Sequence, residues 1–311
     1  MTETSTTVSI RCSRSSHRFF PTSQPLFRAV AFIILTSTLG IVGVAAPSLQ
    51  LGVNWPEMAR IRSWAVSESS GIVKSRTHKD IYWTHNDGGH SPRLFAIKLT
   101  GEVVAAVPVH GATNVDWEDI AIDDAGFIYV GDIGNNHAKH ATRTIYRIPE
   151  PDPFAQPTKA VRPGAFLEYG YSDKRFNSEA LFVRGSKPYV ISKTTLTRPT
   201  LFEIKAGDSG KAVAIPLCRL PVGNVTAADL STDGKKLAIC GYGRLWVFDV
   251  GDDLSKLQDA KPRCVRFPYH YQIEACAFDD DDVILTAESR QIWRITKSDI
   301  EHERTLPKED E

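Results

Sequence analysis

The sequence predicts an all-β fold, a five-bladed β-propeller whose last blade is closed by an N-terminal strand at 58–64. Three observations carry this. After residue 55 helical periodicity is scarce, and short apolar or alternating runs are separated by Gly, Asp, Asn and Pro. A weak repeat recurs five times at blade-like spacing. The last repeat lacks a fourth strand, while a lone strand-like segment, MARIRSW, precedes the first.

The repeats begin SESSGIV at Ser67, DWEDIAI at Asp116, NSEALFV at Asn177, TAADLST at Thr226 and QIEACAF at Gln272. Each holds a Glu, once replaced by Ala228, before a small or acidic residue and an apolar strand. The aligned positions are Glu68, Glu118, Glu179, Ala228 and Glu274. Second strands follow as DIYWTH, FIYVGD, PYVISK, KLAICGYG and DVILTAES, and third strands as RLFAIKL, RTIYRIP, TLFEIKA, RLWVFDV and QIWRITK. Fourth strands read EVVAAVPV, AFLEYGY, KAVAIPLCRL and RCVRFPYHY. If 58–64 supplies the missing outer strand, the ring closes and no edge stays open between first and last blades. The domain is expected over 56–298, with a charged C-terminal tail over 299–311.

The N-terminal region differs in kind. RCSRSSHRFFPTSQPLFR has four arginines and no acid, and the uncharged run AVAFIILTSTLGIVGVAA follows. A basic flank, an apolar run and small residues form a secretion-signal pattern. Residues 1–48 are therefore expected to be a signal peptide or an N-terminal membrane anchor. The protein would then be secreted, periplasmic or membrane-anchored facing outside the cytoplasm, touching membrane only through that segment. Beyond Cys12, the cysteines are Cys218, Cys240, Cys264 and Cys276. An even number suits an oxidising compartment, but buried free thiols on strands fit equally. Zero formal net charge and scattered basic residues exclude a nucleic-acid binder relying on a general basic surface.

In a propeller the first strand of each blade lines the channel, so Glu68, Glu118, Glu179 and Glu274 are expected to ring the axis. The loops between second and third strands open at the same mouth. They bring Asn86, Asp87, His90, Arg93, Asp132, Asn135, Asn136, His137, Lys193, Arg198, Tyr242 and Glu288 around the glutamates, with Asp116 in an entering loop. Converging carboxylates repel unless cations, donors or protons compensate. Calcium, with its six to eight oxygen ligands, is the simplest compensation. The alternative is that the glutamates bond to strand-end amides and tie blades together. By two-residue alternation Asp119 should point away from the axis, and Trp117 should pack between blades.

These strand starts resemble those of the soluble calcium-activated nucleotidases (apyrases), five-bladed propellers with an axial calcium held by Glu or Ser at each inner strand. DWEDIA is similar to their Glu-Trp segment and NSEALF to their Glu-Ala segment. The resemblance implies Glu118, Glu179 and Glu274 as ligands, with Glu68 or Ser69 in the first blade. The family's Asp-Asp-Arg-Thr-Gly loop and Pro-Arg-Arg phosphate segment are absent here. HNDGGHSPR and SKTTLTRP take their places, the former with Asp87 and Arg93, the latter with Lys193 and Arg198. The starts are also similar to lactonase-like and SdiA-regulated propellers.

Two functions follow as expectations. The first is a monomeric binding module that takes a small molecule, glycan or protein at the mouth. Its contacts would be Asn86, His90, Arg93, Asp116, Asn135, Asn136, His137, Arg198, Tyr242 and Glu288. The second is a calcium-dependent hydrolase of phosphoanhydrides, phosphoesters or lactones. Asp87 or Asp132 would activate water and Lys193 would neutralise developing charge. No G-x-S-x-G elbow or Ser-His-Asp order occurs.

Overall fold

The computed structural model describes residues 57–172, 174–206 and 211–303. The leader at 1–48 and the end of the tail lie outside the described residues. Strand β1 (Ala59–Arg60) comes first, and four antiparallel meanders follow. These are β2 (Ser69–Lys74), β3 (Tyr82–Asn86), β4 (Arg93–Ile97) and β5 (Val103–Pro108); then β6 (Trp117–Ile122), β7 (Phe127–Asp132), β8 (Thr142–Pro149) and β9 (Ala165–Tyr171). Next come β10 (Ser178–Arg184), β11 (Lys187–Ser192), β12 (Thr200–Ala206) and β13 (Ala212–Arg219), then β14 (Val225–Leu230), β15 (Lys236–Gly241), β16 (Arg244–Asp249) and β17 (Arg263–Arg266). The last sheet holds β18 (Ile273–Asp279), β19 (Asp282–Ala287) and β20 (Gln291–Ile295), and β1 pairs antiparallel with β20. The outer strands β9 and β13 pair in parallel, which merges two meanders into one eight-stranded sheet.

The first strands β2, β6, β10, β14 and β18 pack one against the next, and β18 packs back on β2. Strands at the centre of such an arrangement are covered on both faces, which explains their near-continuous apolar runs. Every residue of β6 and β14 is buried, whereas β9 and β13 alternate or face water. Apolar clusters fill the gaps between successive meanders. Trp83, Leu94 and Val107 of the first meander share one with Trp117, Ile120 and Tyr146 of the second. Trp117 is thus between sheets, as its position implied.

Glu150, just past β8, ties these two meanders together. It accepts hydrogen bonds from Trp83 Nε1 at 2.8 Å, Thr77 Oγ1 at 3.0 Å, Arg76 N at 3.3 Å and the Ser75 hydroxyl. Glu150→Ala strands the indole N–H of a fully buried tryptophan. It is expected to cost about 2–3 kcal/mol, read as a lower urea midpoint at unchanged slope.

In every meander the pairing of first with second strand slips at the same place. The residues skipped are Ser70, Glu118, Glu179, Thr226 and Glu274. Each slip is a β-bulge, where an extra residue disturbs alternation and re-aims its neighbours. This corrects the expected alignment at two positions. Glu68 precedes β2 and its structural counterpart is Ser70, while the fourth equivalent is Thr226 and not Ala228.

The bulge also reverses the expectation for Asp119. Its buried carboxylate accepts from Leu181 N of β10 at 2.8 Å and from Ala228 N of β14 at 3.0 Å, besides Ile120 N at 2.8 Å. It therefore points across the channel and not away from it. Simple alternation failed because Glu118 occupies the bulge.

The four cysteines of the described residues are free thiols, and Cys218, Cys240 and Cys276 are buried. The chain does not become a bare tail at 299. It enters α1 (Lys297–Glu301), capped by Thr296 and Asp299, and buries Ile300 in the last apolar cluster. Among the described residues no helix is long and apolar enough to cross a membrane.

Candidate functional site

The bulge residues and the second-to-third strand loops meet on one side of the sheets. Asp87, Asp116 and Glu118 each offer an oxygen, and these oxygens lie within 4.8 Å of one another. Two oxygens on one calcium at about 2.4 Å each can be no farther apart than that, so the three meet the spacing that ligands of a single hard cation require. The chain reaches this geometry through Gly134. A Cβ there would overlap Glu118 Oε1 and Asp116 Oδ2, so only glycine admits the carboxylates so close to the backbone. Gly134 N also donates to Asp116 O at 3.1 Å, which fixes the loop after β7.

Charge is concentrated and poorly solvated here. Glu118 is 6 % exposed, and its pKa is raised well above the usual range by burial and then by Glu179, Asp87 and Asp116. Burial and Asp87 raise Asp116, while Arg143, His140 and His137 pull it down. Such a set is stabilised by protons or by a cation.

Glu179, which shares a hydrogen bond with Glu118, has a cation of its own. Lys193 Nζ lies 3.0 Å from Glu179 Oε2 and 3.3 Å from Tyr242 OH. Burial works against its ammonium, yet Glu179, Glu274 and Tyr242 raise its pKa overall. Glu179 also accepts from Asn177 Nδ2 at 2.7 Å. Glu274 bonds to Tyr242, and burial lifts its carboxyl to about 8 despite Lys193. Lys193 is thus held as a counter-ion to the glutamates.

The other expected contacts separate into groups. Glu288 lies at the same mouth, where burial and the charges of Asp87 and Glu68 raise its pKa. Glu68 is half-exposed, 3.6 Å from His90 Nδ1. Asn86 serves the backbone, accepting from Glu68 N and donating to Ala65 O at 2.8 Å. Asn135 is buried and braces the loop through His140 N and Asn177, while Asn136 and His137 are exposed on it. Asp132 accepts from Asp116 N at 2.7 Å and Val115 N at 3.4 Å, a clamp on the entering loop. Arg93 is exposed at the start of β4. Arg198 is exposed and lines a separate cleft beside Phe176 and Phe202.

Sequence reading missed Ser70, Thr226, Asn177, Gly134 and Arg143. The Asn preceding the serine and glutamate of NSEALF was the one visible signal, since its side chain can reach a carboxylate two residues on.

No protein-family model and no curated protein matches the sequence. Among solved structures, the chain is similar to the major Malassezia sympodialis allergen Mala s 1, with TM-score 0.54 and 9% identity, over 82% of this chain and 99% of that one. It is also similar to the Xanthomonas campestris gluconolactonase XC5397, at TM-score 0.43 and 12% identity, over 74% and 86% of the two chains. A virginiamycin B lyase from Staphylococcus aureus follows at TM-score 0.38 and 12% identity, over 73% and 66%. At such identities a likeness speaks to fold, and the last two are too distant to bear on chemistry. The chain has an all-β, propeller-like fold, and its chemistry must be argued from its own residues.

Proposed function

We propose that the protein is a five-bladed, extracytoplasmic β-propeller, closed by β1, that binds a calcium ion and through it a ligand at the channel mouth. The observation that carries this reading is the cluster of Asp87, Asp116 and buried Glu118. All five bulge residues bear a side-chain oxygen, in keeping with the resemblance to calcium-activated nucleotidases. Lys193 already balances Glu179 and Glu274, so the cation belongs on the Glu118 side, with Asp87 and Asp116 as partners. Calcium supplies a positive centre that orients an anionic or hydroxyl-bearing ligand.

Thermal unfolding tests this. At about 100 times its Kd, calcium adds about 2.7 kcal/mol of stability, worth about 5–10 °C in a domain of this size. The shift is expected to vanish in Glu118→Gln and to persist in Glu274→Gln. A calcium shift equal in wild type and Glu118→Gln would refute the site.

A calcium-dependent hydrolase is the second reading, favoured by Asp87, a half-buried carboxylate at the cluster whose Oδ1, among the described residues, accepts only from its neighbour Gly88 N, at 2.5 Å. Asp132 is the weaker base, because backbone amides hold both its oxygens. Turnover of a nucleotide, phosphoester or lactone that requires calcium and is lost in Glu118→Gln would select this reading over binding alone.

A further inference from the structure

Arg143, the second residue of β8, is only 4% exposed. Its guanidinium donates to two backbone carbonyls, His140 O at 3.2 Å and Thr142 O, and its Nε is buried with no partner. Among the described residues Arg143 forms no ion pair, although other arginines of the fold, such as Arg147 and Arg294, do. A buried guanidinium without a counter-ion carries a large desolvation cost, and its five N–H groups fit a planar or tetrahedral oxyanion. Burial accordingly lowers its pKa, with only partial compensation from Tyr169, Tyr171, Asp116 and Asp132.

Arg143 lines a pocket of about 190 Å³ together with Thr113, Asp132, His140, Thr142 and Thr144. Thr113, Thr142 and Thr144 add hydroxyl-bearing side chains to its lining, that of Thr113 also bonded to Tyr146 OH at 3.0 Å. Asp132 is turned onto the amides of Val115 and Asp116, so its charge is already engaged. Gly134 forms part of the wall and also abuts Asp116 and Glu118, so the pocket adjoins the acidic cluster. A drug-sized ligand fills about 300–1,000 Å³, so this volume suits one terminal group of a ligand and not the whole.

We propose that this pocket is an oxyanion subsite, in which Arg143 and the threonine hydroxyls receive a phosphate or carboxylate group of a small ligand that extends towards the acidic cluster. The subsite deepens the reading of the mouth as a ligand site but does not depend on the cation. Bound oxyanion would complete the coordination of Arg143 by charge-assisted hydrogen bonds.

Thermal unfolding and calorimetry with inorganic phosphate and with acetate, each in chelator and in calcium, separate the two sites. In chelator, phosphate or acetate at about 20 mM is expected to raise the wild-type midpoint by a few degrees. Which anion is the better one identifies the group. Arg143→Gln is expected to lose that shift and keep the calcium shift, whereas Glu118→Gln does the reverse. The basal midpoint of Arg143→Gln should equal or exceed wild type, because an uncompensated buried charge has gone. An anion shift retained in Arg143→Gln overturns the subsite, as does the lack of saturable phosphate or acetate binding to wild type. So does a basal midpoint several degrees low in both Arg143→Gln and Arg143→Lys, which would make Arg143 a structural post for the loop.

Discussion

Asp119→Ala is expected to destabilise the protein by about 3–6 kcal/mol, the largest effect of any single polar substitution proposed for this chain. Three backbone N–H groups, of Ile120, Leu181 and Ala228, lose their acceptor together. Each buried donor left unsatisfied costs about 1–3 kcal/mol. Leu181 and Ala228 belong to different meanders from Asp119 and from each other, so one carboxylate couples three meanders through their first strands. Asp119→Asn should fall between. Its oxygen can serve Leu181 and Ala228, which both donate to Oδ2, but its NH2 would then face the Ile120 N–H. Urea unfolding of both variants is the check. A loss below about 1 kcal/mol in Asp119→Ala would show that the amides find other partners.

The second large effect is on pH dependence. Glu274 is raised from its ordinary 4.5 to about 8, chiefly by burial. The folded state therefore holds a proton that the unfolded chain releases above pH 4.5. Its share of stability is complete below that pH and drains away as pH rises to about 8. At about 1.4 kcal/mol per pH unit, moderated by water at the mouth, the loss is about 2–5 kcal/mol. Asp229, raised to about 7 by burial, acts in the same direction over a narrower window. Buried His85, whose pKa is lowered from 6.5, opposes them below that value. The comparison with Glu274→Gln isolates the glutamate. In chelator the midpoint of the variant should fall less between pH 5 and 8 than that of wild type. Calcium should flatten the wild-type slope, because cation binding favours the ionised form of Glu118, which burial disfavours, and binding therefore strengthens as pH rises. Equal slopes for wild type and Glu274→Gln would show that Glu274 is ionised in the folded protein throughout this range.

Both predictions turn on features that a linear reading handles unequally. Strand runs were legible because inner strands are covered on two faces and so read as continuous apolar segments, while turns carry Gly, Asp and Asn. Glu118, Glu179 and Glu274 were legible for the same reason, since a carboxylate at the head of an apolar run is conspicuous. Ser70 and Thr226 were not. Serine and threonine are ordinary at strand ends, and only the skipped pairing partner shows that they stand where the glutamates stand. Asp119 was misread because alternation holds only in an unbroken ladder. Arg143 had no sequence signal, since its lack of an ion-pair partner among the described residues shows only in three dimensions.

The sequence by itself determined the all-β character and the repeated strand–loop unit, and it marked the strand-head carboxylates Glu118, Glu179 and Glu274. These depend on local periodicity and on turn chemistry, which act over a few residues. Only the tertiary structure decided which carboxylate oxygens lie close together, that Lys193 balances Glu179 and Glu274, and that Asp119 reaches two other meanders. Those facts depend on distances between residues far apart in the chain, and a one-residue bulge is enough to change which side chain reaches the axis.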